Sequence, residues 1–378
     1  MNRRNGGHGV AYGIHIATAL AGGLWACGAM AQSQLTFGGN LDIGTRIDRN
    51  KTSVKQVSSN SLLPSRLTFG ALEELGDGWR AQAVLEAGLT VDDGAGAVQP
   101  PGVPAGTFTF GRFANIAIGS ERTGYLSLGR QYTPLFVMGA SGVADVFAGA
   151  ALGGTNSISS FTVRASNSIA YTYGYGPRTL LKASPAQGLG VAAMLAPGES
   201  STVGGAGNQG GFNVSYGDGG WWAGYGYHGV RGTSQALSTA GPDKASPVLR
   251  QQTLAVAYNF GSLRMNAGFN RGRNSLSTSA GINRGGTYVG LSYALANNQE
   301  LKALYGRMND RRALNADYST VQLAYTYSFS KQTSLYALAG QIDNSPTAAA
   351  TLLNASPAVQ TAAGHNSHSL ALGILQRF

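Results

Sequence analysis

The ionisable residues of this 378-residue chain are arranged for electrostatics more than for bond chemistry. Asp42 and Arg46 share one parity of an alternating segment, and Arg80, Gln82 and Glu86 share one parity of another, opposite Trp79, Ala81, Ala83 and Leu85. On an extended chain successive side chains point to opposite faces, so these charges lie together on a wet face. Arg264 does likewise, opposite Leu263 and Met265. Arginine keeps its charge at every accessible pH, and in water each interaction stays near ~1 kcal/mol, so such a row attracts anions without trapping them. A charge at a rim, or one bonded to its own wall, would instead serve only the fold.

Reactive constellations are missing. His228, His365 and His368 have no metal-ligand spacing with any cysteine, so no metal and no other cofactor is implied. Ser369 and His368 are adjacent and on a strand would face opposite ways, which defeats them as a dyad. Gly205-Ala206-Gly207-Asn208-Gln209-Gly210 fits a phosphate-binding spacing, but no helix pattern follows it in a chain with 56 glycines. The expectation is that the protein is not an enzyme.

The elements that position the charged residues must be strands. Charged residues are only 12% of the chain, yet it has 17 Tyr, 13 Phe and 4 Trp, too aromatic for disorder and without the period of collagen. Residues 1–31 read as a cleaved secretory signal: Arg3 and Arg4 open it, an apolar stretch runs from Val10 to Met30, and Ala29-Met30-Ala31 precedes Gln32. An uncleaved anchor is disfavoured by His15 and several glycines, and lipoprotein processing at Cys27 by the bulky Trp25. Removal leaves residues 32–378 as one domain, with no cysteine and a net charge of +8. An exported chain without runs of basic residues is not expected to bind nucleic acid.

Period-two alternation predicts sixteen strands, at 35–46, 62–72, 78–90, 107–119, 124–131, 167–175, 187–195, 211–217, 221–230, 250–260, 262–271, 286–296, 300–307, 318–329, 333–342 and 367–378. Residues 176–186 either extend the sixth strand or form a loop. Leu254, Val256, Tyr258 and Phe260 alternate with Thr253, Ala255, Ala257 and Asn259, giving one oily face and one wet face. Every second connection is long: 47–61, 91–106, 132–166, 196–210, 231–249, 271–285, 308–317 and 343–366. Short turns at one rim and long loops at the other fit a transmembrane barrel, whose rims face different compartments. A ten-residue strand tilted near 40° spans roughly 25 Å, the height of the apolar band. Small polar residues on the wet parity would pack a poor core, which favours lipid outside. The fold expected is all-β, a sixteen-stranded antiparallel transmembrane β-barrel, and at that size the lumen holds water. A surface adhesin or secreted β protein that binds a partner through its long loops is the alternative.

The segments LTFGGNLDIG (35–44), SRLTFGALEELGDGWRAQAVLEAG (65–88), LSLGRQYTPLF (126–136), YSFSKQTSLYALAGQIDN (327–344) and the closing GILQRF resemble, in order, the Gram-negative porins of β-proteobacteria. The resemblance implies a homotrimer in the outer membrane, in contact with its lipid, passing small hydrophilic solutes by diffusion. It implies that the third long loop, 132–166, folds into the lumen, where basic residues of the wall face loop acids. By position it places Arg66 and Arg130 in that constriction, with Asp145 as the loop's acid; Asp42, Arg46, Arg80 and Glu86 join them as pore-lining candidates by parity. Gly70 stands where the family has a second basic residue and Val137 where it has an early loop acid, so a wider, less polarised opening is expected; the +8 charge of residues 32–378 and the single acid in the loop motivate the expectation of a mild anion preference. Arg130 carries a conflict, because plain alternation puts it with Leu126 and Leu128; a bulge near Gly129 would reconcile the two. Arg112 has the same difficulty and is left out of the candidates.

Overall fold

The computed structural model describes residues 33–140, 143–148, 151–159, 161–175, 187–199, 205–232, 248–274, 281–353, 355 and 357–378. The expected signal peptide and the segment 176–186 lie outside the described residues. The strands are β1 (Ser33–Arg49), β2 (Ser53–Ser59), β3 (Arg66–Gly76), β4 (Trp79–Leu89), β5 (Gly96–Ala97), β6 (Phe113–Ser120), β7 (Gly124–Tyr132), β8 (Arg164–Tyr173) and β9 (Gln187–Ala196). They continue with β10 (Gln209–Asp218), β11 (Trp221–Arg231), β12 (Val248–Phe260), β13 (Leu263–Arg273), β14 (Asn283–Ala296), β15 (Gln299–Asp310), β16 (Tyr318–Ser328), β17 (Thr333–Asn344) and β18 (Ser367–Arg377). All pairings are antiparallel, and β18 pairs back onto β1 from Asn40↔Arg377 to Arg49↔His368. The wall therefore closes on itself and leaves no edge.

The short strands β2 and β5 lie in the long loops, and the other sixteen make the barrel. Both short strands explain departures from the expected boundaries. β2 folds back along the upper half of β1 (Ile43↔Ser59 to Arg49↔Ser53), which carries β1 past Arg46. β5 takes the upper end of β4 (Gly88↔Ala97), so β6 pairs with β4 only from Phe113 on, and 107–112 are loop instead of strand.

Parity sorts the two faces as the sequence implies. Leu254, Val256 and Tyr258 of β12, Val321 and Leu323 of β16 and Leu370, Leu372 and Ile374 of β18 are exposed on the outside. Their neighbours Ala255, Ala257, Ala324, Ala371 and Leu375 are buried inside. An exposed face this apolar and continuous needs lipid against it.

The interior is partly filled by the connection between β7 and β8. It begins with a one-and-a-half-turn helix, α1 (Pro134–Gly139), capped by Thr133, whose hydroxyl accepts from the Phe136 amide. Glycines at inner positions 224 and 226 of β11 let α1 approach closely: a methyl group there would meet Met138 Sδ at 2.8 Å and Leu135 Cδ1 at 3.3 Å. Farther on, a 3₁₀ segment (Ala151–Ile158) packs through Leu152 and Ile158 against Leu304, Met308, Leu338 and Ile342 of the far wall. The β17–β18 connection also turns inward, burying Leu352 in the same cluster and donating the Leu353 amide to Leu152 O (3.3 Å).

Charge at the centre of the apolar band tests the assignment of faces. Leu372→Arg, on the outer face of β18, should destabilise the barrel by about 2–4 kcal/mol, read from denaturant unfolding in lipid vesicles. Unchanged stability would mean that this face does not meet lipid.

Candidate functional site

The inner wall formed by β3, β4, β7 and β8 gathers a compact basic group. Glu86, on β4, accepts from Arg112 Nε at 2.6 Å and from Thr68 Oγ1 at 2.9 Å, and Arg66 Nη1 of β3 lies 3.8 Å from it. Arg112 Nη2 (3.0 Å) and Arg164 Nη2 (3.2 Å) both donate to the Tyr132 hydroxyl. The Arg164 guanidinium also sits 4.7 Å above the Tyr132 ring, a cation–π contact. Phe113 and Phe136 hold that ring in place, each with its centroid 4.6 Å away. Three guanidinium groups against one carboxylate leave the group with a formal charge of +2. Aromatic packing and a shared hydroxyl fix the arginines in position, so the positive field does not depend on mobile side chains.

The expected pore residues separate into those in this group and those outside it. Arg66 and Glu86 belong to it. Arg66 also donates through Nε to Asn40 Oδ1 (2.9 Å), which holds it against β1. Asp42 is fully buried: its carboxylate accepts from the amides of Ser61 (3.2 Å), Leu62 (2.9 Å) and Leu63 (2.7 Å) and from the Tyr336 hydroxyl (2.7 Å). It anchors the β2–β3 connection. Arg46 is buried beside Asp48 (2.8 Å) and donates to Ser369 Oγ (3.0 Å) and Leu353 O (3.1 Å), holding down the β17–β18 loop. Arg80 sits at the short-turn rim with Glu74 (2.7 Å) and Glu121 (3.6 Å), away from the basic group.

Two residues have roles different from those the resemblance implied. Asp145 is completely buried and makes no ion pair with an arginine among the described residues; it accepts from the amides of Phe147 (2.9 Å) and Thr155 (2.8 Å) and from the Thr155 hydroxyl (3.0 Å). Its carboxylate shapes the inward loop from within. Arg130 pairs opposite Ala114, on the outer parity of Leu126, Leu128, Ile116 and Ile118, and donates to Gly111 O (2.7 Å) and Ser166 Oγ (2.8 Å). The anticipated irregularity exists, between Gly129 (φ 124°) and Gln131, but it lies in the β7–β8 register and leaves Arg130 on the outer parity, near Arg164 but bonded to Gly111 and Ser166 instead of Glu86 or Tyr132. Val137 is buried in α1, and Gly70 is an inner position of β3.

Sequence reasoning missed Arg112, Arg164 and Tyr132. Parity counted through a strand that in fact begins only at Phe113 misplaces Arg112, and Arg164 falls inside the expected loop because β8 starts three residues earlier than alternation suggests. The company of Pro134 and Phe136 in one motif was a signal for Tyr132, and nothing local marks Arg112 or Arg164.

By the long loops of β14–β18, a cavity of about 440 Å³ lies between the 3₁₀ segment and the β15–β16 and β17–β18 loops. Arg284, Arg312, Asn156 and Tyr318 line it. Hydrogen bonds from Arg312 to Asp310 (2.8 and 2.7 Å) hold its guanidinium above its ordinary pKa.

A wide closed barrel with an oily exterior, an inward-folded loop and a basic inner wall defines a transmembrane channel. A family profile described as Gram-negative porin matches residues 17–347, and the chain belongs to that family. Its fold is similar to that of an anion-selective porin from Comamonas acidovorans (TM-score 0.76, 21% identity, covering 92% of this chain and 100% of that one). It is also similar to OmpT of Vibrio cholerae (0.63, 16%, 92% and 98%) and to OmpF of Salmonella typhi (0.59, 13%, 92% and 100%). A search of curated proteins gave no match. The protein is thus an outer-membrane diffusion channel, and nothing in these matches favours the adhesin alternative.

Replacing Asp145 tests its role as a staple. Asp145→Ala would leave the buried amides of Phe147 and Thr155 without an acceptor, each costing about 1–3 kcal/mol, while the Thr155 hydroxyl keeps Gly139 O. The inward loop should then become a protease target and single-channel current should flicker, while the barrel stays folded. A quiet, protease-resistant channel would contradict this.

Proposed function

We propose that the channel passes small hydrophilic solutes with a mild preference for anions, as a homotrimer whose leader, residues 1–31, is removed on export. One observation carries the preference: Arg66, Arg112 and Arg164 stand on the inner wall with Glu86 as the one acid bonded among them, while Asp145 is buried and held by the amides of its own loop. In a water-filled lumen these charges act through a screened field, raising the local anion concentration without holding any one ion. The selectivity named for the Comamonas acidovorans porin and the trimer form named for OmpT of Vibrio cholerae are in line with this reading.

Planar-bilayer recording of the purified protein under a KCl gradient checks it. The wild type should give a chloride-favouring reversal potential and conductance steps in groups of three. Arg66→Gln combined with Arg164→Gln should move the reversal potential toward that of an unselective pore, with the shift shrinking at high salt. A potassium-favouring wild type, or a double variant that reverses where the wild type does, would overturn the assignment.

A further inference from the structure

The outer face of the barrel, expected to be uniformly apolar, carries an unexplained concentration of charge in one sector. Register places Arg231 of β11, Arg250 of β12, Arg271 and Arg273 of β13 and Arg307 of β15 on the outward parity, at the ends of their strands nearest the long loops. Four of them are exposed and Arg271 is half-buried. Arg250 and Arg273 are direct cross-strand partners, a like-charged pairing that destabilises a sheet unless something else lies between the charges. No acidic residue occupies an outward position anywhere along β11–β15. The five make no ion pair among the described residues. The connecting segments 233–247 and 275–280 contribute only Asp243 and Lys244 in sequence, which cancel.

The height of these arginines is informative. Directly below Arg271 and Arg307 on the same outer face are the exposed aromatics Phe269 and Tyr305. At the other end of the band stand Tyr258, Phe260 and Tyr293, also exposed. Aromatic side chains in such belts mark the two membrane interfaces. Arg250 is ten residues from Phe260 on β12, which at the usual rise and a tilt near 40° is about 26 Å along the membrane normal. The guanidinium groups therefore sit at headgroup level, in the leaflet on the long-loop side. Between Arg271 and Arg307, β14 presents only Gly285, against which the Phe269 ring lies, and Thr287 outward, so no long side chain stands between the two guanidinium groups.

The geometry points to a binding site for a phosphate-bearing lipid of the surrounding membrane on the outer face of β11–β15, with its phosphates between Arg250, Arg271, Arg273 and Arg307 and its acyl chains along Leu254, Phe269 and Tyr305. Arginine's planar fork suits phosphate, and the bound anion would relieve the Arg250–Arg273 repulsion. This rests on the outer-membrane reading above, but not on the channel's selectivity.

The test is binding of fluorescently labelled diphosphoryl lipid A to the refolded full barrel in a nonionic detergent. Folding of each variant is checked by its heat-modifiable gel mobility and by channel conductance, which outward residues should not alter. Arg250→Gln with Arg273→Gln should weaken binding roughly 30-fold, Arg250→Lys with Arg273→Lys should retain most of it, and Arg49→Gln, outward at the same rim on β1, should change nothing. Folded double-glutamine variants that bind as the wild type does would overturn the site, as would equal binding of the dephosphorylated lipid. Displacement of the label by inorganic phosphate alone would overturn a lipid ligand in favour of a soluble one. Disulfide cross-linking between two barrels that carry Arg273→Cys, unaffected by added lipid A, would overturn it in favour of a contact between copies. A folded wild type without conductance would count against the channel and leave the lipid result to stand on its own.

Discussion

Everything in this structure depends on the fact that a backbone amide or carbonyl cannot be left unpaired in hydrocarbon, where no water replaces the missing bond. A sheet satisfies that condition only if it has no edge, and the ten-residue register between β1 and β18 removes the edge. Closure forces strict alternation on every strand, because a side chain that is not outside is inside. The same constraint that builds the wall thus determines which arginines face water and which face lipid. A one-residue slip would exchange the two sets, placing Leu254 and Val256 in the lumen and Thr253 and Gln251 in the membrane.

The lumen is then shaped by chain that returns to it, and here buried carboxylates do most of the holding. Asp42 gathers three loop amides, Asp145 closes the inward loop on itself, and the Arg46–Asp48 pair ties the β17–β18 loop to the wall. With these acids engaged in shaping loops, the charge balance of the inner wall tips toward its arginines. Glu86 is the exception: lodged between Arg66 and Arg112, it reduces their mutual repulsion and leaves a net positive charge. The positive charge of the inner wall and the loop architecture are therefore two results of one distribution of acids.

The barrel was legible in the sequence because its outer face meets a solvent as uniform as hydrocarbon. Alternation of Leu370, Leu372 and Ile374, or of Val321 and Leu323, needs no knowledge of neighbours. The inner wall was less so, since its residues are selected by what folds against them. Asp42 and Arg46 were correctly put on the inner parity, but nothing local to them announces that the partners would be Leu62, Leu63 and Leu353. Arg130 and Arg164 show the limit from the other side: alternation alone puts Arg130 with Leu126 and Leu128, where the structure has it, and only the resemblance moved it to the lumen, while Arg164 fell in the expected loop because β8 begins before the irregularity at Asn167 (φ 55°) that interrupts its alternation. The two short strands were missed because they add no hydrophobic period, only backbone pairing to strands already formed.

The central claim, that the Arg66 side of β3 looks into water under a positive field while the next residue looks into lipid, can be tested at adjacent positions. The segment 32–378 contains no cysteine, so Thr68→Cys and Phe69→Cys each supply a single thiol in that segment. In bilayer recordings, Thr68→Cys should react with a negatively charged, membrane-impermeant thiol reagent faster than with a positively charged one of the same size, with stepwise loss of current, and Phe69→Cys should react with neither. Faster modification of Thr68→Cys by the cationic reagent, or current block through Phe69→Cys, would contradict the account.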